Sequence, residues 1–221
     1  MGSLGDDVLK ITKEKLLKGC LLSSIAHAIM TNVYPELSYE QSWDGNNFSM
    51  QDENGIRGTI TFLDDYCIGA IRNDGGNIIY GNEAINNLIK TFPAELVGVA
   101  QNDTLQYLLD YQKGVCVPAI TSIFFCDNNG LVGANGNNAG LQSDFTLFRL
   151  CLLPQCEAVE AWRDYYGMNS ETIRLLHELL EQKDYDLLKP IYLSDSQKQM
   201  IPGDFLNEEC KESFGELNII L

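Results

Sequence analysis

Between Tyr39 and Arg72 the chain carries four short strand-like runs, Tyr39 to Trp43, Asn47 to Asp52, Ile56 to Leu63 and Tyr66 to Arg72. The links between them are Asp44-Gly45-Asn46, Glu53-Asn54-Gly55 and Asp64-Asp65, and Asn73-Asp74-Gly75-Gly76 follows the last. Gly, Asn and Asp tolerate the positive φ that tight hairpins need, and links this short force neighbouring strands to run antiparallel. Alternation is clearest where Thr59, Thr61 and Leu63 interleave with Ile60 and Phe62, which gives the sheet one apolar face to bury. The nearest cover is the preceding segment. Leu17, Leu21, Ile25, Ala28 and Ile29 recur at spacings of three and four and predict a helix capped by Asp6 or Asp7, running to about Asn32 and ended by Pro35.

Further along, the pattern predicts helices over Asn82 to Phe92 and Pro93 to Gln112, and one buried strand over Val115 to Phe125 with Pro118 at an edge or bulge. Phe145 to Leu153 is its expected partner strand, and Cys156 to Tyr166, Ser170 to Leu188 and Asp204 to Phe214 read as helices. The fold class is therefore α+β: an N-terminal helix packed on a four-stranded antiparallel meander (about 39–72), then a mainly helical half with one further strand pair. With 221 residues and no long linker the chain reads as a single domain, with sub-lobes at 1–76 and 77–221.

Seven cysteines are an odd number, lie mostly in apolar runs and show no Cys-x-x-Cys spacing, so all are expected as thiols in a cytoplasmic protein. The basic and apolar stretch around Cys20 to Met30 fails as an export signal because Ser23, Ser24 and His27 interrupt it and it starts late. No run approaches the roughly 18 apolar residues of a membrane span. No cofactor, metal or catalytic residue is assigned. Net charge is -16, with -5 within residues 39–75 and -8 within 151–221. A field of that sign repels nucleic-acid phosphates and attracts cationic partners.

Three constellations carry chemistry. Cys20, Ser24 and His27 fall on one side of the first helix, the minimum kit for a nucleophile beside an imidazole, although their neighbours make a packing role the better reading; His177 reads the same way. The Gly- and Asn-rich stretch 127–144 lacks the residue order of a phosphate loop or an EF-hand and reads as a surface loop or hairpin tip. In a meander alternate turns share an end, so Asp44 is expected near Asp64 and Asp65, and Asp52 and Glu53 near Asp74. Trp43 beside Asp44, with Tyr66 near, makes Trp43, Asp44, Asp64, Asp65 and Tyr66 the expected partner-binding residues. The function expected is an acidic, soluble, non-enzymatic binding protein, an inhibitor or immunity-type protein that blocks a cationic protein such as a nuclease or toxin. The alternatives are a small hydrolase or transferase built on Cys20/His27 or on loop 127–144, and a structural or assembly subunit.

Overall fold

The computed structural model describes residues 11–134, 141 and 143–221. In chain order, helix α1 (Lys13–Met30) leads through a 3-10 helix (Pro35–Glu40) to strands β1 (Gln41–Asp44), β2 (Asn47–Gln51), β3 (Ile56–Phe62) and β4 (Cys67–Asn73). Strand β5 (Ile79–Tyr80), helices α2 (Asn82–Leu88) and α3 (Ala94–Asn102) and a 3-10 helix (Thr104–Tyr107) follow. Next come β6 (Leu109–Gln112), β7 (Val115–Ile120), β8 (Ser122–Cys126), β9 (Leu131–Gly133) and a 3-10 helix (Phe145–Leu152). The chain finishes with α4 (Gln155–Tyr166), α5 (Ser170–Lys183), β10 (Ile191–Tyr192), α6 (Asp195–Lys198), α7 (Glu208–Glu216) and β11 (Ile219–Ile220). The fold is α+β, with the N-terminal helix, the four strands of the expected meander and the later helices all present. It divides into two compact units: one holds residues up to 15 and 46–149, the other 16–45 and 150–221.

In the first unit β2, β3, β4, β8 and β9 are successive neighbours, all antiparallel. Register runs from Asn47 opposite Thr61 to Gln51 opposite Arg57, from Ile56 opposite Asn73 to Phe62 opposite Cys67, and from Cys67 opposite Cys126 to Ile71 opposite Ser122. One apolar cluster joins Ile68, Ala70, Ile120 and Ile123 of the strands to Ile85, Ile89, Leu96, Ala100 and Leu105 of the helical segments. Elsewhere in the unit aromatic rings meet glycines. A Cβ added to Gly69 would stand 2.3 Å from the Phe124 ring, and one on Gly58 2.8 Å from the Phe148 ring. Phe145 meets Phe124 at 4.8 Å and Phe148 at 5.7 Å between ring centres.

Three expectations are corrected here. The expected strand Phe145 to Leu153 is instead a 3-10 helix over Phe145–Leu152, a three-residue repeat that brings Phe145 and Phe148 to the same side. Val115 to Phe125 is two strands rather than one. The break falls at Thr121, whose backbone N–H donates to the Ile71 carbonyl while its hydroxyl donates to Asp144. Only β8 joins β4, while β7 lies between β5 and β6 in a separate three-stranded sheet. Pro118 pairs with Leu109 on one side, and the β5 ladder begins only at Ala119, so its missing N–H leaves no gap. β6 had been expected as the end of a helix; the segment turns extended after the Thr104–Tyr107 helix.

The second unit is built on α1, whose residues from Cys20 to Met30 are all buried. Its start is marked by Thr12, whose hydroxyl accepts the Lys15 N–H; the expected caps Asp6 and Asp7 lie outside the described residues. Gly19 is what lets the helix come close: a Cβ there would stand 1.7 Å from the Cys151 carbonyl oxygen. Asn32 donates to the Pro202 and Phe205 carbonyls and accepts the Asn207 N–H, tying the segment after α1 to the loop before α7. Asn207 in turn caps α7 through Cys210 N–H, and β10 and β11 pair in parallel.

Gly69→Ala is expected to lower stability by about 1–3 kcal/mol through overpacking. Gly19→Ala should reach or exceed the top of that range, because backbone rather than a flexible side chain stands in the way. Gly98→Ala, in α3 with nothing within 4 Å of the added carbon, should instead stabilise by about 0.5–1 kcal/mol. Urea midpoints of the three variants provide the check.

Candidate functional site

Trp43 is 4% exposed and donates its indole N–H to the Ser24 hydroxyl at 2.7 Å, while its backbone N–H donates to Glu216 at 2.8 Å. It is a core residue and offers no face to a partner. Asp44 beside it is exposed, and with Glu212 it forms a like-charged neighbourhood around Glu216. Burial first, then these two carboxylates, push the Glu216 carboxyl above its ordinary value. In the other unit Asp64 and Asp65 are exposed at the β3–β4 turn, closed by Leu63 N–H on the Tyr66 carbonyl, and the Asp64 carbonyl accepts Lys13 Nζ at 2.8 Å. The Tyr66 side chain is half-buried and packs on the apolar cluster. The second pair of turns does meet, since Asp74 N–H donates to the Gly55 carbonyl. Its carboxylates are engaged locally: Asp52 accepts from the Asn54 and Ile56 N–H groups, and Asp74 pairs with Arg72 at 2.7 Å.

Cys20 and His27 do not form a dyad. Both are buried, and both ring nitrogens of His27 face other groups, Nδ1 the Tyr166 hydroxyl at 2.8 Å and Nε2 the Ser38 carbonyl at 3.4 Å. A carbonyl can only accept, which puts the proton on Nε2 and makes the Tyr166 hydroxyl the donor to Nδ1. Ser23 donates to Gln41 and Ser24 to the Cys20 carbonyl, so the polar residues of α1 serve its own packing. Burial, opposed only by the Ser38 carbonyl, lowers the His27 pKa to about 4.

Of the 127–144 stretch, 135–140 and 142 lie outside the described residues. Its opening is a hairpin tip in which Asp127 accepts the Asn129 and Gly130 N–H groups, and its closing Asp144 accepts the Thr121 and Ser122 hydroxyls. Among the described residues no group of three or more His, Cys, Asp or Glu side chains is placed to hold a metal ion. Nor, among them, is any helix long and apolar enough to cross a membrane.

An arrangement with open space lies in the second unit, at the end of α5. Asn169 starts this helix by accepting the Glu171 and Thr172 N–H groups, and Leu175, Leu176, Leu179 and Leu180 bury one side, which leaves His177 and Glu181 outward. The helix stops at Lys183, short of the expected Leu188. Asp184 (φ 48°) and Tyr185 (φ 56°) both take the left-handed conformation, which is uncommon for Asp and an outlier for a residue as bulky as Tyr. Lys183 holds the reversal. It is fully buried, donates Nζ to the Leu187 and Lys189 carbonyls at 2.7 Å each, and burial lowers its pKa to about 8. The result is a cleft of about 380 Å³ lined by Gln155, His177, Leu180, Glu181, Asp184 and Tyr185. The Tyr185 hydroxyl donates to Gln155, and Lys18 Nζ lies 4.8 Å from the centre of the Tyr185 ring. Two carboxylates beside an aromatic face that already accepts an ammonium group is chemistry suited to a cation.

No family model, curated protein or solved structure matches the chain.

Because the folded pKa of His27 lies below the ordinary 6.5, the unfolded chain binds the extra proton between the two values. The contribution is fully present above pH 6.5 and is lost as pH falls through 4, about 3 kcal/mol in all. Urea midpoints between pH 7 and pH 4 should show this fall, and His27→Gln should flatten it.

Proposed function

We propose that the protein is an acidic binding protein that engages a cationic protein surface, in the manner of an inhibitor or immunity protein that blocks its target. The observation that carries the reading is the α5 cleft. Glu181 and Asp184 flank a tyrosine ring that holds the Lys18 ammonium within the same unit, so an arginine or lysine side chain of a partner would meet the same chemistry. The setting supports it: the second unit has seventeen Asp and Glu against seven Lys and Arg, a net charge of -10 out of the whole chain's -16. Such a field speeds encounter with a positive partner and is screened by salt over roughly 8–10 Å. Asp44, Asp64 and Asp65 add exposed negative charge at turn tips and in this reading steer approach rather than supply buried contacts.

The experiment is binding of a fluorescent arginine-rich peptide to the full chain, with a glutamate-rich peptide as control, at low and high ionic strength. The arginine peptide should bind and weaken with salt. Tyr185→Leu should cost roughly two- to five-fold in affinity, the yield of an exposed cation–π contact. Glu181→Gln with Asp184→Asn should weaken binding further, and Asn keeps the left-handed turn. Reversing Asp44, Asp64 and Asp65 to lysine should slow association several-fold, and Asp→Asn there should do less. Binding insensitive to salt and to all of these changes would remove the reading.

A further inference from the structure

Cys67 opens β4 and Cys126 closes β8, and the antiparallel register sets them directly opposite each other. Residues so paired have Cα atoms about 4.5–5.5 Å apart, inside the ~4.4–6.8 Å span of a disulfide. Their side chains share one face of the sheet. Both are free thiols and fully buried, unlike Cys116 and Cys156, which are exposed.

What covers the pair is a short strap, Ile11 to Lys13. Cys126 Sγ donates to the Ile11 carbonyl at 3.0 Å, Lys13 N–H donates to the Asp127 carbonyl at 3.1 Å, and Lys13 Nζ to the Asp64 carbonyl at 2.8 Å. The strap stands outside the β4–β8 ladder, so it can open without breaking the sheet beneath it, although doing so exposes the buried Ile11 side chain. Burial holds the Cys67 thiol protonated, with the Lys13 charge working the other way. Lifting the strap admits water and frees the thiolate, which is the reactive form.

We propose that Cys67 and Cys126 are a latent cross-strand disulfide, closed by a hydroperoxide when the Ile11–Lys13 strap lifts. One thiolate attacks a peroxide oxygen, the O–O bond breaks, and a sulfenic acid forms with release of water (or an alcohol). The second thiol attacks that sulfur, the S–O bond breaks, and the hydroxyl leaves as water with the remaining proton. Two thiols are oxidised by two electrons and one peroxide is reduced. The product staples β4 to β8 across the segment that holds α2, α3 and β5 to β7. This inference stands on the first unit alone and does not depend on the binding function proposed above.

The test uses the full chain and hydrogen peroxide, dosed until Cys116 and Cys156 have reacted, then alkylation in denaturant and peptide mapping without reductant. A Cys67–Cys126 linked peptide should appear, vanish with dithiothreitol and persist in a Cys116→Ser/Cys156→Ser variant. The oxidised protein should also unfold at higher urea than the reduced protein. Alkyl label on both Cys67 and Cys126, or sulfinic acid on either without the link, overturns the proposal. The wild-type map decides it even where Cys126→Ala, the control that must lose the link, fails to fold.

Discussion

A helix with no face in water must place every polar group it carries against a partner inside the protein, and α1 is such a helix from Cys20 to Met30. Ser23 reaches Gln41, Ser24 takes the Trp43 indole N–H, Thr31 returns to the Ala28 carbonyl, and His27 is fixed between Tyr166 and Ser38. These bonds decide where the surrounding elements of the second unit lie. Gln41 and Trp43 pin β1, and Tyr166 sets α4, whose Trp162 then stacks on the same ring at 5.6 Å. Gly19 allows the approach of the Cys151 backbone on which the packing depends. An unpaired polar atom here would cost on the order of 1–3 kcal/mol, so the network is as much a constraint on sequence as the apolar residues around it.

The meander was legible because its cause is local. Asp, Asn and Gly at the turns encode positive φ, and a link of two or three residues admits only antiparallel neighbours. What escaped was whatever tertiary contact decides. Val115 to Phe125 is rich in β-branched and aromatic residues, so nothing in the run reveals that Thr121 turns its N–H to Ile71 and its hydroxyl to Asp144 and splits it. Phe145 to Leu152 has strand-like composition, and only the rings it must meet select the three-residue repeat. The same holds for function. Trp43 looked like an anchor because its neighbour is acidic, yet its indole N–H is needed by Ser24. The α5 cleft carried almost no signal, since Asp184-Tyr185 contains no glycine to announce a left-handed turn. Its one trace was Lys183, a charged residue continuing the spacing of Leu176, Leu179 and Leu180 on a buried helix face.

Acidic charge does two different jobs in the two units. In the first, Asp52, Asp74, Asp110 and Asp127 each accept N–H groups or pair with arginine within a few residues of their own turn or strand. The Tyr111 N–H, with Arg72 beside it, holds the Asp110 carboxyl below its usual range. Those carboxylates are stabilised as anions by the fold and would gain little from an outside cation. In the second unit Glu160, Asp164, Glu178 and Glu208 are likewise paired locally with Arg163, Arg174 and Lys211, but other carboxylates sit differently. Glu216 is held above its usual range by burial and by the like charges of Glu212 and Asp44, and Glu181 and Asp184 line open space.

Like-charge repulsion left in a folded protein is free energy that a partner of opposite charge can release, because a cation brought near neighbouring carboxylates offsets their mutual repulsion. Charge already neutralised by turn N–H groups and arginines offers no such release. The carboxylates that line the cleft therefore bear on the proposed binding more directly than the total of -16. Tyr185 is held in a strained conformation beside two carboxylates, with a buried lysine supporting the turn. Strain of this kind persists only where surrounding contacts enforce it, and here those contacts bring ring and carboxylates together around one space, the arrangement on which the proposed recognition of a positive side chain rests.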